Sequence, residues 1–400
     1  MLNWLRIVII AGGVAVVGTS AGAEPSPARK IAQLPHAEMD MLRALPLAFY
    51  VAKGLPNACG EGCDTWIAAD GGFDLGAVVR FKRFLKTIGH RSLPIFFNSP
   101  GGVVQNSMGV GRAMRILKMK AGVGKTTPAE CVTAKLSDKA CHQLKSSGRE
   151  LTAELSDSGG ICASACVYAL IGASTREIAP GAILGIHAGL PVSIYSDGRV
   201  ALGNAAATRI TTARLRSYIA EMGVEPALLD AAEATSHDKI RVLTRDEIVR
   251  FRIDPRDTAE TSWALRVPPS GRAYLSKRVL QAREAEGAGY LQRTLAISCA
   301  VSSANLLLSY LWQQDAGSLP NVGPIRVGIG GQWLLLQPNP TTWSNRNQLR
   351  VSLLSIERLK EAAKANAIYV NESQSSPLFT FSTVGLSDAL VEFIKRCPGQ

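Results

Sequence analysis

One segment of this chain constrains its fold more than any other: a short apolar run, then two glycines, then an amphipathic stretch. Leu93–Asn98 is typical of a buried strand, because it is apolar, short and bounded by turn residues. Gly101 and Gly102 form the turn, since glycine adopts a positive φ without steric cost. In Val103–Leu117 apolar residues recur on one helical face. The pattern predicts strand, glycine loop and helix, a repeating unit of a mixed α/β (α+β) fold.

A second segment places a serine in a turn of small residues. Ser164 lies between two alanines within Cys162–Cys166, and His187 follows 23 positions later (187 − 164). Acyl transfer needs a nucleophile, a base that takes its proton, and fixed N–H donors for the oxyanion. Each part alone is more often structural, because Pro-Gly-Gly is usually a plain turn and a single histidine usually packs in a core. Their order along the chain indicates a serine hydrolase site.

This order resembles that of the Clp protease proteolytic subunit and its crotonase-like superfamily. In those proteins a Ser-Pro-Gly-Gly loop precedes an Ala-Ser turn and an Ile-His strand, as 99–102, 163–164 and 186–187 do here. The nearest resemblance is to a group of predicted periplasmic proteins of this fold, which share the cysteine-flanked serine and Arg176. It implies a Clp/crotonase-like spiral of ββα units.

The resemblance also implies a role for each residue of the site. Ser164 corresponds to the nucleophile and His187 to the general base. The backbone N–H groups of Gly102 and Ala165 correspond to the oxyanion donors, and Gly101 lies in the same substrate-binding loop.

The acid that orients the histidine is carried over to Asp238, which is slightly offset from the family position. Two other aspartates have structural explanations. Thr244–Glu247 is a capping-box pattern, so Asp246 is expected in the first turn of a helix. Asp254 is expected at a helix end or turn.

The first 23 residues have the pattern of a secretory signal peptide. Arg6 supplies the charge, Ile7–Val17 the apolar core, and Ala21–Ala23 an A-x-A cleavage site. The apolar core is shorter than the roughly 20 residues that a membrane span needs. We therefore expect a periplasmic or secreted protein that begins at Glu24, with an uncleaved membrane anchor as the alternative.

Cysteine usage agrees with export, because an even number of cysteines behind a signal peptide favours disulfides. We expect Cys59 to pair with Cys63, since they close a glycine-rich turn, and Cys299 with Cys397. The eight cysteines are Cys59, Cys63, Cys131, Cys141, Cys162, Cys166, Cys299 and Cys397.

The cysteines beside the serine are harder to pair. If Cys162 and Cys166 shared a helix, their Cβ atoms would lie about 5–6 Å apart, whereas a disulfide accepts roughly 3.5–4.5 Å. We therefore expect them to pair with Cys131 and Cys141. Such bridges would hold residues 118–159, an insertion relative to the Clp proteins, as a lid beside the serine. A zinc site is disfavoured, because the short CxxC spacing is missing.

Four hundred residues predict more than one domain. We expect an N-terminal tail over 24–45, the Clp-like domain over 46–258, and a linker with a smaller accessory domain over 259–400. The accessory domain contains β-like runs, and the proline-rich stretch Arg266–Gly271 indicates the boundary. No catalytic pattern occurs beyond it.

The chain is basic, with a formal net charge of +12. Residues 75–129 contain ten Lys or Arg and no Asp or Glu. The resulting positive field favours acidic substrates or an anionic membrane surface, although solvated helix faces explain it as well. Nucleic acid is not expected as a partner outside the cytoplasm. Gly124-Lys125-Thr126 lacks the first glycine of a phosphate-binding loop, since Met119 stands there.

The sequence thus predicts an exported, ATP-independent serine endopeptidase that hydrolyses peptides or proteins through an acyl-enzyme, without cofactor or metal. Three alternatives remain. The first is a catalytically inactive binding or scaffold protein on the same fold. The second is a serine–lysine dyad that uses Lys125 or Lys145. The third is crotonase-type thioester chemistry, which fits poorly because its coenzyme A is intracellular. The family resemblance also implies a homo-oligomer.

Overall fold

The structure is a computed structural model. It describes residues 36–89, 91–156, 159–190, 192–194, 200–256, 258–267, 272–282, 290–299, 305–314, 325–329, 331–338, 347–372 and 378–397. The expected signal peptide, the start of the expected tail and residues 268–271 of the expected linker lie outside these ranges. Gln33–Gln400 forms one compact unit.

Helices and strands alternate through the first part of the chain. In chain order they are α1 (His36–Ala44), β1 (Ala48–Lys53), β2 (Thr65–Asp70), α2 (Ala77–Ile88), β3 (Ile95–Asn98), α3 (Val104–Ile116), β4 (Lys120–Val123), β5 (Lys125–Pro128), α4 (Ala129–Thr133), α5 (Asp138–Lys145), β6 (Leu151–Ser156), β7 (Ile161–Ala163), α6 (Ala165–Ile171), β8 (Thr175–Glu177), β9 (Ile183–Ile186), β10 (Val192–Ile194), β11 (Val200–Leu202), α7 (Ala205–Glu221), α8 (Ala227–Glu233), β12 (Arg241–Val242) and α9 (Arg245–Arg250).

A seven-stranded sheet has the order β5-β6-β1-β2-β3-β4-β8. Strands β2, β3, β4 and β8 are parallel neighbours, and α2 and α3 make the crossovers that parallel strands require. The expected strand and helix at 93–98 and 103–117 correspond to β3 and α3. Because these strands are parallel, their carboxyl ends lie at the same edge of the sheet.

A smaller sheet of order β12-β9-β7 adjoins that edge. It is joined to the end of β3 by a parallel bridge between Ser99 and Cys162. The Ser99 N–H donates to the Ile161 carbonyl at 2.7 Å, and the Ala163 N–H donates to the Ser99 carbonyl at 3.0 Å. The segment after β3 is thereby fixed against β7.

Two glycines allow α3 and α6 to pack backbone against backbone. A Cβ on Gly172 would lie 2.3 Å from the Cα of Gly111, and one on Gly111 would lie 2.0 Å from the Tyr218 hydroxyl oxygen. That hydroxyl donates to the Tyr168 carbonyl at 2.7 Å within the buried core. Small residues at this crossing hold α6 close to the helix that follows the glycine loop.

The rest of the described chain forms a second, β-rich domain with its own apolar core, which includes Trp263, Tyr310 and Phe393. Its ten strands are arranged β13-β15-β16-β17-β20-β19-β18-β21-β22, with β14 paired to β15. The elements are β13 (Thr258–Glu260), β14 (Ala264–Arg266), β15 (Tyr274–Ala282), β16 (Tyr290–Cys299), β17 (Leu306–Gln314), β18 (Ile325–Ile329), β19 (Gln332–Pro338), β20 (Asn347–Leu354), α10 (Ile356–Lys364), β21 (Ala367–Asn371), β22 (Phe379–Ser382) and α11 (Leu386–Ile394). A mixed α/β fold with a second β-rich domain is confirmed, whereas the exact domain limits stay a prediction.

All eight cysteines form disulfides, but not in the expected pattern around the serine. Cys59–Cys63 and Cys299–Cys397 are present as expected. The pairing of Cys162 and Cys166 with Cys131 and Cys141 is wrong, because Cys131 pairs with Cys141 and Cys162 with Cys166. The assumption of one shared helix fails: Cys162 lies on β7 and Cys166 on α6, and the turn between them brings their Cα atoms to 5.2 Å.

The expected lid over 118–159 also needs correction. No disulfide ties it to the nucleophile turn, and β4, β5 and β6 within it are strands of the main sheet. The Nε2 atom of His142 on α5 lies 2.7 Å from the Pro46 carbonyl oxygen, which places that helix near the start of β1. A lid stays a prediction only for α4, α5 and their connections.

No helix among the described residues is long and apolar enough to cross a bilayer.

A buried carboxylate ties the end of α9 to the strand region after the nucleophile helix. Asp254 has a fully buried side chain, pairs with Arg245 at 2.9 Å and Arg256 at 2.7 Å, and accepts from the Ile178 N–H at 2.8 Å. Burial alone would raise the pKa of Asp254, but the hydrogen bonds from Arg256 and Arg245 outweigh it and lower the pKa to about 2. The Asp254 side chain therefore has a structural role in this cluster.

Replacing Asp254 tests this cluster. Since the folded-state pKa is depressed, its stabilisation is present above the unfolded pKa and is lost as pH falls from about 4 to 2, a change of about 2 kcal/mol. We expect D254N to lower the free energy of unfolding at pH 7 by about 3 kcal/mol, because a buried arginine loses its partner. Urea unfolding should also show that the free energy of unfolding decreases less between pH 4 and pH 2 in D254N than in the parent protein. The exposed-pair variant D230N should change neither quantity.

Candidate functional site

Two parallel strands bring the serine and the histidine to one place. In the pairing of β7 with β9, Ala163 lies opposite Gly185. Ser164 follows β7 directly, and His187 follows β9 directly. Parallel neighbours end at the same edge, so two residues far apart in sequence become neighbours. The Ser164 N–H also donates to the Gly185 carbonyl at 2.8 Å, which fixes the turn to the strand that carries the histidine.

Ser164 occupies a sharp turn between β7 and α6. Its backbone has φ 55° and ψ −124°, a conformation that residues with a side chain rarely adopt. Such strain costs of the order of 1–3 kcal/mol and persists only where the surroundings enforce it. A strained strand-to-helix turn of this kind exposes the side chain of a nucleophile at the edge of a sheet.

The two side chains make direct contact. His187 Nε2 lies 2.7 Å from Ser164 Oγ, within the reach needed for proton transfer from a nucleophile to its base. Partial burial lowers the pKa of His187, the backbone of His237 raises it, and the positive charge of Arg43 lowers it further. The pKa is lowered overall, which keeps the ring neutral and able to accept a proton at neutral pH.

The glycine loop lies beside the first residue of α6. A parallel bridge joins Phe73 to Gly102, in which the Gly101 carbonyl and the Val103 N–H bond to Phe73. The N–H of Gly102 therefore points away from Phe73. Ala165 is the first residue of α6, so its N–H has no acceptor within the helix. The role of these two N–H groups as oxyanion donors stays a prediction.

Gly101 allows the loop to approach the nucleophile. Its φ is 99°, and a Cβ at this position would lie 2.6 Å from the Ala163 carbonyl oxygen, 2.7 Å from Ser164 Cβ and 2.9 Å from the Ala165 nitrogen. Gly102 has φ 135°, and its Cβ would lie 2.2 Å from the Phe73 carbonyl oxygen. Only glycine fits at either position.

The structure does not bring Asp238 to His187, which corrects the expectation of Asp238 as the orienting acid. The Asp238 carboxylate accepts a hydrogen bond from the Ser236 hydroxyl, and this bond, together with the backbone N–H of Asp238 and the positive charge of Lys239, lowers the pKa of Asp238. His187 Nδ1 is buried and has no hydrogen-bond partner among the described residues. The backbone of His237 lies near enough to the ring to raise the pKa of His187.

The other candidate groups have structural roles. Asp246 lies in the first turn of α9, whose capping box between Thr244 and Glu247 is present as predicted. Lys145 forms an ion pair with Asp70, while Ser164 Oγ contacts His187. The geometry therefore favours a serine–histidine pair over a serine–lysine dyad at this site.

Arg176 has no predicted role beyond its part in the family resemblance. In the structure it binds the C-terminal end of α6. Its guanidinium donates to five backbone carbonyls, those of Ile171, Ala173, Met222, Arg252 and Ile253. Burial and the nearby positive charge of Arg115 lower the pKa of Arg176 to about 10. The residue thus anchors the C-terminal end of the nucleophile helix.

Within the described ranges, no cluster of three or more His, Cys, Asp or Glu side chains could hold a metal ion.

Comparisons with known proteins give only distant similarity. No protein-family model matches the chain, and no curated protein matches it. One similar solved structure is a serine-to-alanine variant of the membrane-bound stomatin-specific protease 1510-N, with 13% identity, 52% of this chain and 77% of that chain covered, and a TM-score of 0.30. A lysine-to-alanine variant of 1510-N in complex with a substrate peptide has 16% identity, 52% and 73% coverage, and a TM-score of 0.29.

A third similar structure is invasion associated protein b from Bartonella henselae. It has 10% identity, covers 33% of this chain and 92% of that chain, and has a TM-score of 0.23. At these scores the similarities carry no argument about the site, so residue roles rest on the geometry of this chain.

Substitution of Gly101 tests the close approach of the loop. We expect G101A to reduce the rate of covalent labelling of Ser164 by a fluorophosphonate about 100-fold, because a displaced loop removes an oxyanion donor. The matched control is G148A. Gly148 also has a positive φ, 79°, but a Cβ there meets nothing within 4 Å. Equal labelling rates for the two variants would contradict the assigned role of the loop.

Proposed function

We propose that this protein is a serine hydrolase of the peptidase type. The 2.7 Å contact between His187 Nε2 and Ser164 Oγ, at a strained turn beside two backbone donors, carries this proposal. A nucleophile, its base and an oxyanion site are the three parts that acyl transfer requires. A binding protein has no need of all three at one edge of a sheet.

In the proposed reaction, Ser164 Oγ attacks the carbonyl carbon of the scissile bond while its proton moves to His187 Nε2. The N–H groups of Gly102 and Ala165 donate to the oxyanion of the tetrahedral intermediate. His187 then transfers the proton to the leaving amine, and an acyl-enzyme remains on Ser164. Water, deprotonated by His187, releases the acid and restores the serine.

Among the described residues, no carboxylate binds His187 Nδ1. Nε2 accepts the serine proton only in the tautomer that carries its hydrogen on Nδ1. Nδ1 is buried and has no hydrogen-bond partner of good geometry among the described residues, so only the nearby backbone of His237, which raises the pKa of His187, favours that tautomer. A site that lacks its acid keeps part of its rate through the oxyanion donors and the remaining pair. We therefore expect a slower hydrolase than one with a complete triad.

The setting that we propose is an exported, ATP-independent enzyme acting on peptides or proteins, free or at an anionic membrane surface, and assembled as a homo-oligomer. Four disulfides support an oxidising compartment. The alternative is an inactive binding or scaffold protein on the same fold, which the lack of a hydrogen-bond partner for His187 Nδ1 among the described residues favours.

Covalent labelling separates the two functions. We expect a fluorophosphonate to modify the purified protein at Ser164, as located by mass spectrometry. S164A should abolish the adduct, and H187A should slow its formation by 10³-fold or more, because the base is lost. The matched controls are S147A, at an exposed serine, and H142A, at a histidine on α5, and both should label like the parent protein. Absence of an adduct in parent protein with all disulfides intact would favour the binding protein.

The pH dependence of labelling reports the pKa of His187. Reaction requires the neutral ring, so the rate rises with pH through that pKa. Since the folded-state pKa is lowered, we expect the midpoint below the usual value of about 6.5. Removing the positive charge in R43Q should raise the pKa of His187 and move the midpoint upward, whereas R91Q, at an exposed pair with Glu150, should leave it unchanged. An unshifted midpoint in R43Q would contradict the assigned electrostatics.

A further inference from the structure

We propose that Asn98 is a positioning residue for Ser164, and that the ion pair between Asp70 and Lys145 sets the orientation of its amide. The proposal rests on the proposed function, since it concerns the same site. None of the three side chains is placed among the reacting groups. They act through the strand that leads to the nucleophile.

The amide of Asn98 joins two elements of the site. Its Nδ2 donates to Asp70 Oδ1 at 3.1 Å, and its Oδ1 accepts from the Ile161 N–H at 3.2 Å. Asn98 is the last residue of β3, and Ile161 is the first residue of β7. Asn98 and Asp70 are buried, with 3% and 4% of their surface exposed. A single side chain therefore spans from the glycine-loop strand to the nucleophile strand.

The charge of Asp70 gives that amide one orientation. An ionised carboxylate only accepts hydrogen bonds, so the NH₂ group of Asn98 must face Asp70. The amide oxygen of Asn98 is then directed at the Ile161 N–H. A neutral partner at position 70 would allow either orientation, and the reversed amide would point a donor at another donor.

Lys145 stabilises the buried charge of Asp70 through an ion pair. Its Nζ contacts Asp70 Oδ2, and the two side chains are 16% and 5% exposed. A carboxylate buried without a partner is strongly destabilising. Lys145 ends α5, so the insertion over 118–159 contributes a counterion to the site region. This contact gives the insertion a role that does not require a lid.

The backbone of Asn98 strengthens the connection. Its carbonyl accepts from the Gly71 N–H at 3.1 Å, and the next residue, Ser99, pairs with Ile161 at 2.7 Å. Ser164 lies three positions after Ile161 (164 − 161), and Gly101 lies three after Asn98 (101 − 98). The spacing between nucleophile and oxyanion loop is therefore set in part by Asn98, and small misplacements of reacting groups reduce rates strongly.

The N98D variant tests the orientation directly. When protonated, the introduced carboxyl can donate to Asp70 and accept from Ile161, as the amide does. When ionised, it is repelled by Asp70. We expect the ratio of N98D to parent labelling rates to fall at least tenfold as pH rises through the titration of the introduced carboxyl. A defect in folding alone would give a ratio that does not vary with pH in protein that remains folded.

Three further variants complete the test, each measured well below its unfolding temperature. D70N and N98A should label Ser164 at least fivefold more slowly than the parent protein. D254N removes an equally buried aspartate from an ion pair outside this network, and it should label at the parent rate. A ratio near 1 for N98A and D70N, with a pH-independent ratio for N98D, would overturn the proposal.

Amide hydrogen exchange tests the role of Asn98 independently of whether the protein is a hydrolase. If the parent protein forms no adduct at Ser164, the hydrolase proposal fails, and exchange at 161–163 still decides the role of Asn98. We expect exchange at 161–163, measured relative to exchange at 108–111 in α3, to be at least tenfold faster in N98A than in the parent protein. The same relative rate should be unchanged in D254N, because a loss of global stability accelerates both segments. Unchanged exchange in N98A would show that Asn98 does not hold β7.

Discussion

The site depends on the parallel pairing of β7 with β9. That ladder places Ser164 and His187 at one edge, and the bridge from Ser99 to Cys162 adds the glycine loop at the same edge. Three segments that are remote in sequence thus end within a few ångströms of one another. No helix or loop elsewhere in the described chain needs to move to bring the serine and the histidine together.

Close packing turns that pairing into a defined geometry. The glycines at the crossing of α3 and α6 let the helix behind the loop and the helix behind the nucleophile touch through their backbones. Arg176 holds the far end of α6 through five carbonyls. With both ends of the nucleophile helix fixed, the strain at Ser164 cannot relax by rotation of the helix.

Much of this was readable from the sequence, because local patterns govern it. The apolar run before Gly101, the helical periodicity after it and the capping box at Thr244 each correspond to an element of the structure. The serine and histidine were found through their order along the chain. The glycines were found because a positive φ excludes other residues.

What the sequence did not show depends on three-dimensional geometry. The pairing of Cys162 with Cys166 was missed because a strained turn, rather than a helix, separates them. The role predicted for Asp238 is wrong because its carboxylate binds the Ser236 hydroxyl, a contact that no spacing rule reveals. The contact of Asn98 with Ile161 joins residues 63 positions apart and has no local signature.

The bridge between Cys162 and Cys166 has one more consequence. It closes around Ser164 itself, so the backbone torsions of the reactive residue are covalently restrained by its immediate neighbours. A reduced chain with both thiols free and the oxidised chain share one sequence, yet only the oxidised chain has this covalent restraint on the backbone of Ser164.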